Sequence, residues 1–166
     1  MQPSKVAFLV IVRLPVFERF VLSQNPKFGR FVSDSAKIWI CGLYLPLIVT
    51  SGKLKNLCFL IDTGSTHNTL FGFVYEHFKE EFKLLGDTNR VMGIEGHYKE
   101  TPVIEATFNF EGTDYTSTFS VLDATDAITQ VQEETGVQIH GVLGIQFLVE
   151  NKWIVDLDRL EISTRK

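Results

Sequence analysis

From residue 38 onward, apolar and polar positions alternate in short runs broken by turn residues, the pattern of a β-rich chain. Residues 44–50 form an apolar, β-branched run, Ser51-Gly52-Lys53 is a turn signal, and residues 57–61 read as a continuous buried strand. These segments predict a β-hairpin that feeds directly into Asp62-Thr63-Gly64. An apolar stretch at 70–74 follows. Over 75–85, Phe78, Phe82 and Leu85 fall at helical spacing among Lys and Glu, which predicts a short amphipathic helix ended by Gly86-Asp87. Its aromatic stripe reads as core and its Glu76–Glu81 charges as a solvated face. Residues 91–98 carry Gly93 and Gly96, the mark of a tight or mobile turn.

Residues 101–110 alternate well, and Glu111-Gly112 leads into a second alternating run at 115–122, a second hairpin. Residues 123–138 are polar, with room for one helical turn. A short apolar strand at 139–143 runs into Gly144, then a brief helix over 145–150. A last hairpin pairs 153–157 with 160–163 across Asp158-Arg159. The expectation is a mostly β fold with one or two short helices and no internal repeat.

The first forty residues resist this scheme. They hold two apolar bursts, 6–12 and 28–32, separated by Pro15, Asn25 and Pro26. Lys5 before the first burst has the charge order of a signal-peptide core. The run is short, though, Arg13 and Pro15 interrupt it, and a buried strand fits the same text. No stretch reaches the roughly 18–20 apolar residues that span a bilayer, so no stable membrane span is expected. The text leaves localisation open, leaning to the cytoplasm, with 6–12 as a weak signal-like segment.

Length and composition fit one domain with an N-terminal extension. We divide the 166 residues into an extension of unknown role at 1–41 and a domain at 42–166. A content of 45% hydrophobic and 22% charged residues is ordinary for a chain that buries a core, and fourteen Phe tilt it toward β-structure. The net charge of −4 gives no electrostatic case for nucleic acid. The charge is uneven: Lys5, Arg13, Arg19, Lys27, Arg30 and Lys37 stand against Glu18 and Asp34 at the start, a basic segment fit for a partner, a membrane surface or a solvated loop. Cys41 and Cys58 make neither a disulfide scaffold nor a metal cluster and read as buried thiols.

The sharpest feature is Phe59-Leu60-Ile61-Asp62-Thr63-Gly64-Ser65. A carboxylate placed straight after an apolar strand, with no adjacent cation, is costly unless its surroundings are arranged for it. Gly64 permits a tight turn beside it, and the hydroxyls of Thr63 and Ser65 offer hydrogen bonds. The tripeptide alone also fits an Asx-type turn.

A second segment, His140-Gly141-Val142-Leu143-Gly144 followed by Ile145-Gln146-Phe147-Leu148, lies about eighty residues later. Together with 60–65, it resembles the retropepsin-like aspartic-protease family. That family pairs an apolar-apolar-Asp-Thr-Gly loop with a later apolar-apolar-Gly segment leading into a short helix. The resemblance covers roughly 42–163. It implies a closed, barrel-like β sheet and a homodimer, because the chain holds a single Asp-Thr-Gly. It implies Asp62 as the catalytic carboxylate. Thr63 would interlock with its dimer mate, Gly64 would allow close approach, and Ser65 would bond the outer carboxylate oxygen. Val142, Leu143 and Gly144 would pack under the loop and flank the substrate. Residues 92–98 would form a flap, with Met92, Gly93, Ile94, Gly96 and Tyr98 over a bound peptide. No metal or cofactor is implied.

The other aspartates, Asp34, Asp87, Asp123 and Asp156, lack a glycine in place or sit inside a hairpin. His67, His77, His97 and His140 match no ligand spacing and read as surface or loop residues, with His67 bordering the cleft. Two functions stay open: an active dimeric endopeptidase, or a protease-like binding or assembly module that cleaves little.

Overall fold

A computed structural model describes residues 29–30, 39–40, 46–92, 98–158 and 161–164. The extension's apolar burst at 6–12, Cys41, Asp34 and His97 lie outside the described residues, as do Gly93, Ile94 and Gly96. The fold is mostly β. In chain order the strands are β1 (Gly29–Arg30), β2 (Trp39–Ile40), β3 (Pro46–Val49), β4 (Cys58–Asp62), β5 (Asn68–Phe71), β6 (Lys83–Met92), β7 (Tyr98–Phe110), β8 (Thr113–Leu122), β9 (Gly141–Gly144), β10 (Trp153–Asp156) and β11 (Glu161–Thr164). The helices are α1 (Gly72–His77), α2 (Thr125–Thr135) and α3 (Ile145–Glu150), with a 3₁₀ turn at Lys79–Glu81.

Nine strands form one mixed sheet in the order β1-β2-β3-β4-β9-β5-β8-β7-β6, and β10 pairs with β11 in a separate ribbon. Both outer strands at the β1 end come from the segment read as an extension. The closed, barrel-like sheet expected from the sequence is not found among the described residues. β1 and β6 stand at opposite ends of the order, with no ladder between them. Closure needs a full edge-to-edge ladder, and β1 is two residues long. The sheet does curl: an isolated bridge joins Ser51, just after β3, to Asn109 of β7.

Strand alternation sorts the core onto two faces. On β4, Phe59 and Ile61 enter the larger cluster, while Cys58 and Leu60 belong to the smaller. β3 splits Ile48 from Leu47, β5 splits Leu70 from Phe71, and β9 splits Leu143 from Val142 in the same way. The larger cluster is aromatic. Phe108 packs against Phe59, Phe119 and Phe147 at ring separations of 5.3, 6.4 and 5.7 Å, and Trp153 closes on Phe147 at 5.1 Å. The smaller is built around Ile128 of α2 with Val137 and Ile139. The Glu111-Gly112 turn between β7 and β8 has φ of 48° and 81°, the left-handed pair of a two-residue hairpin.

Two expectations need correction. The helix expected over 75–85 is α1 at Gly72–His77 plus the 3₁₀ turn, and Lys83 already belongs to β6. Tyr75 and Phe82 stack at 6.1 Å across the turn. The long edge of β7 pairs with Lys83 and Leu84 and overrides their helical spacing. Conversely, the polar segment 123–138 holds an eleven-residue helix, α2, ended by left-handed Gly136 donating to Gln132 O at 2.7 Å. Its Ile128 is what covers the sheet's second face.

Candidate active site

Asp62 is the last residue of β4, and its side chain is half-buried. β4 runs parallel to β9, with Phe59, Leu60, Ile61 and Asp62 opposite Gly141, Val142, Leu143 and Gly144. The two segments singled out in the sequence are therefore neighbours, in register, and the aspartate faces the glycine. The chain leaves β4 in a turn closed by Ser65 N–H on Asp62 O at 3.2 Å. That turn aims two donors at the carboxylate: Gly64 N–H on Oδ1 at 2.8 Å and Ser65 Oγ–H on Oδ2 at 3.0 Å. Each oxygen thus has its own donor from within the loop. Gly64 and Thr63 are exposed.

The end of β9 and the start of α3 then deliver three consecutive N–H groups to this loop and the residue that follows it. Gly144 N–H bonds Asn68 Oδ1 at 3.0 Å, Ile145 N–H bonds Ser65 O at 2.8 Å, and Gln146 N–H bonds Thr66 O at 3.2 Å. A Cβ on Gly144 would lie 2.7 Å from His67 O and 2.8 Å from Ser65 O, so only glycine fits beneath the loop. Leu143 is fully enclosed in the core, and Val142 is half-buried on the opposite face.

Met92 and Tyr98 are paired in the long β6–β7 hairpin, whose connecting residues 93–97 lie outside the described residues. Tyr98 is 62% exposed, with the Arg90 guanidinium over its ring at 5.4 Å. Two other aspartates have local roles. Asp123 Oδ1 accepts from the hydroxyl and N–H of Thr125, which hold its carboxyl below the usual carboxylate range. Asp156 accepts Asp158 N–H at 3.0 Å.

His67 is exposed, with Nδ1 3.1 Å from Gln146 Oε1. His140 is not a surface histidine as expected: it is 2% exposed, and its Nδ1 accepts Cys58 N–H at 2.9 Å. Burial pushes its pKa down to about 4. Among the described residues no group of three His, Cys, Asp or Glu is placed to hold a metal ion. Nor, among the described residues, is any helix long and apolar enough to cross a membrane. Asn68, buried in the loop's exit, was missed from the sequence. Its signal was weak: a lone amide six residues after Asp62, whose partners lie far along the chain.

No protein-family model matches this chain, and no curated protein matches it in sequence.

Proposed function

We propose that the chain is an aspartic endopeptidase of the retropepsin-like type, working as a homodimer on peptide or protein substrates. The observation that carries the reading is the Asp62 carboxylate at the end of β4, held through both oxygens by Gly64 and Ser65 while its β9 neighbour is Gly144. A carboxylate oriented by fixed donors and still partly exposed is suited to proton transfer. One chain supplies one such group, so the reaction takes two copies, related by a twofold axis, with their Asp62 carboxylates side by side.

Two adjacent carboxylates share one proton, because like charges at that separation do not both ionise. The ionised member takes a proton from a bound water, whose oxygen attacks the scissile carbonyl. The protonated member donates to the carbonyl oxygen, giving a tetrahedral gem-diol. Its collapse breaks the C–N bond as a proton passes to the leaving amine, and the dyad is restored. The titration belongs to the pair.

The test is cleavage of a diverse peptide library at acidic and neutral pH by wild type and by Asp62→Asn, with sedimentation reporting the dimer. Cleavage by wild type, lost in the variant while the dimer persists, is expected. Equal cleavage by both sinks the proposal. A dimer that binds peptides without cutting them favours the binding-module reading.

A further inference from the structure

We propose that Asn68 is a positioning residue for Asp62, a strut whose side-chain amide fixes the height of the catalytic loop against β9; this rests on the protease reading. Asn68 opens β5 and is 5% exposed. Its amide reaches three elements at once. Oδ1 accepts Gly144 N–H at 3.0 Å, and Nδ2 donates to Ser117 Oγ at 2.9 Å and to Thr118 O at 3.1 Å. The amide's orientation is unambiguous, since Gly144 N–H only donates and Thr118 O only accepts.

The strut matters because of what it holds. Gly144 is both the ladder partner of Asp62 and the N-cap of α3, where the first N–H groups have no partner inside the helix. A glycine has no side chain to cap them. The loop does it instead, with Asn68 Oδ1, Ser65 O and Thr66 O taking Gly144, Ile145 and Gln146 in turn. Ser65, whose hydroxyl orients Asp62, is one of these acceptors. The loop that carries the carboxylate is therefore clamped at its start by β4 and at its end by Asn68. Between them, no other side chain takes the Gly144 N–H. Behind the amide lies a polar cavity of about 30 Å³, lined by Asn89, Ser117, Ser120 and Gln146 among others. Its volume suits a water molecule. If the amide is truncated, water can fill its place and satisfy Gly144, so the fold survives while the fixed height is lost.

The test uses the full chain and compares wild type, Asn68→Ala and Asn68→Asp. The readouts are kcat, KM, the pH–rate profile, the dimer fraction, and hydrogen exchange of the Gly144 amide. Asn68→Ala should keep the dimer, leave KM within about threefold and lose about 100-fold in kcat, the usual cost of a small misplacement. Asn68→Asp, when protonated, is an isostere that accepts from Gly144 and donates to Thr118 O. It should restore kcat to within about threefold of wild type at the acid end. When ionised it repels that carbonyl, so a new loss of kcat toward neutral pH should appear. If both variants keep wild-type kcat and an unchanged pH profile per folded dimer, Asn68 is only structural and the proposal is overturned. If wild type cleaves nothing, the protease reading fails, and the Gly144 amide decides the strut on its own. Faster exchange in Asn68→Ala with protection kept in Asn68→Asp upholds it, and unchanged exchange in both overturns it.

Discussion

His140 should make this fold weaken in acid, and the amount follows from its surroundings. The imidazole is 2% exposed, packs 5.8 Å from the Phe73 ring, and receives Cys58 N–H on Nδ1. That bond requires an unprotonated Nδ1, so the native ring is neutral with its proton on Nε2. Burial lowers the pKa from 6.5 to about 4. Between those two values the unfolded chain binds a proton that the folded chain refuses, so stability falls as pH drops through that window. At about 1.4 kcal/mol per pH unit, the loss reaches about 3 kcal/mol near pH 4. This is a large part of the 5–15 kcal/mol that holds a domain together.

The assay is urea unfolding at pH 7, 5.5 and 4 for wild type and His140→Asn, whose Oδ1 can take the Cys58 N–H without titrating. The variant should be less stable at pH 7 for want of the ring. It should, however, lose about 3 kcal/mol less than wild type between pH 7 and 4. Carboxylates contribute alike to both proteins, so the difference isolates one group. Parallel pH dependences would refute the reasoning.

Gly144→Ala should destabilise the fold by about 1–3 kcal/mol in a urea titration and lower cleavage with it, because its Cβ meets backbone oxygens of His67 and Ser65 that have no freedom to yield. An unchanged midpoint would contradict the tight seat drawn for the loop. Phe108→Ala should cost about 3–5 kcal/mol. The ring is 2% exposed and touches Phe59, Phe119 and Phe147, so a smaller loss would mean the aromatic cluster repacks.

What the sequence displayed best was local. The Glu111-Gly112 hairpin was legible because two adjacent residues set its turn, and α3 because Gly144 marks its start and its apolar residues lie within six positions. The strand-then-Asp62 loop was legible for the same reason. What was hidden depends on distant partners. Lys83 and Leu84 read as helix until the ladder with Glu105 and Ile104 is available to them. α2 looks too polar for a core helix, because among its described side chains Ile128 is the one buried apolar residue. Sheet closure could not be judged from strand patterns, since it turns on which edges meet. Asn68 joins residues 49, 50 and 76 positions away, and nothing near it in the sequence announces that.

Asp62 and His140 sit at opposite ends of the β4–β9 pairing, and on the protease reading their demands conflict. Asp62 ends β4 opposite Gly144, while His140 lies just before β9 with its Nδ1 on the first N–H of β4. On the protease reading, the dyad needs one proton between two carboxylates, a state that acid favours. The same acid drives His140 toward a charged form that cannot accept the Cys58 N–H, loosening the β4–β9 ladder at the end away from the carboxylate. Cleavage should therefore be limited on its acid side by the ladder as well as by the dyad. His140→Asn separates the two: its cleavage should extend to lower pH than that of wild type, with the neutral side of the profile unmoved. An acid limb that stays in place in that variant would assign the limit to the carboxylates alone.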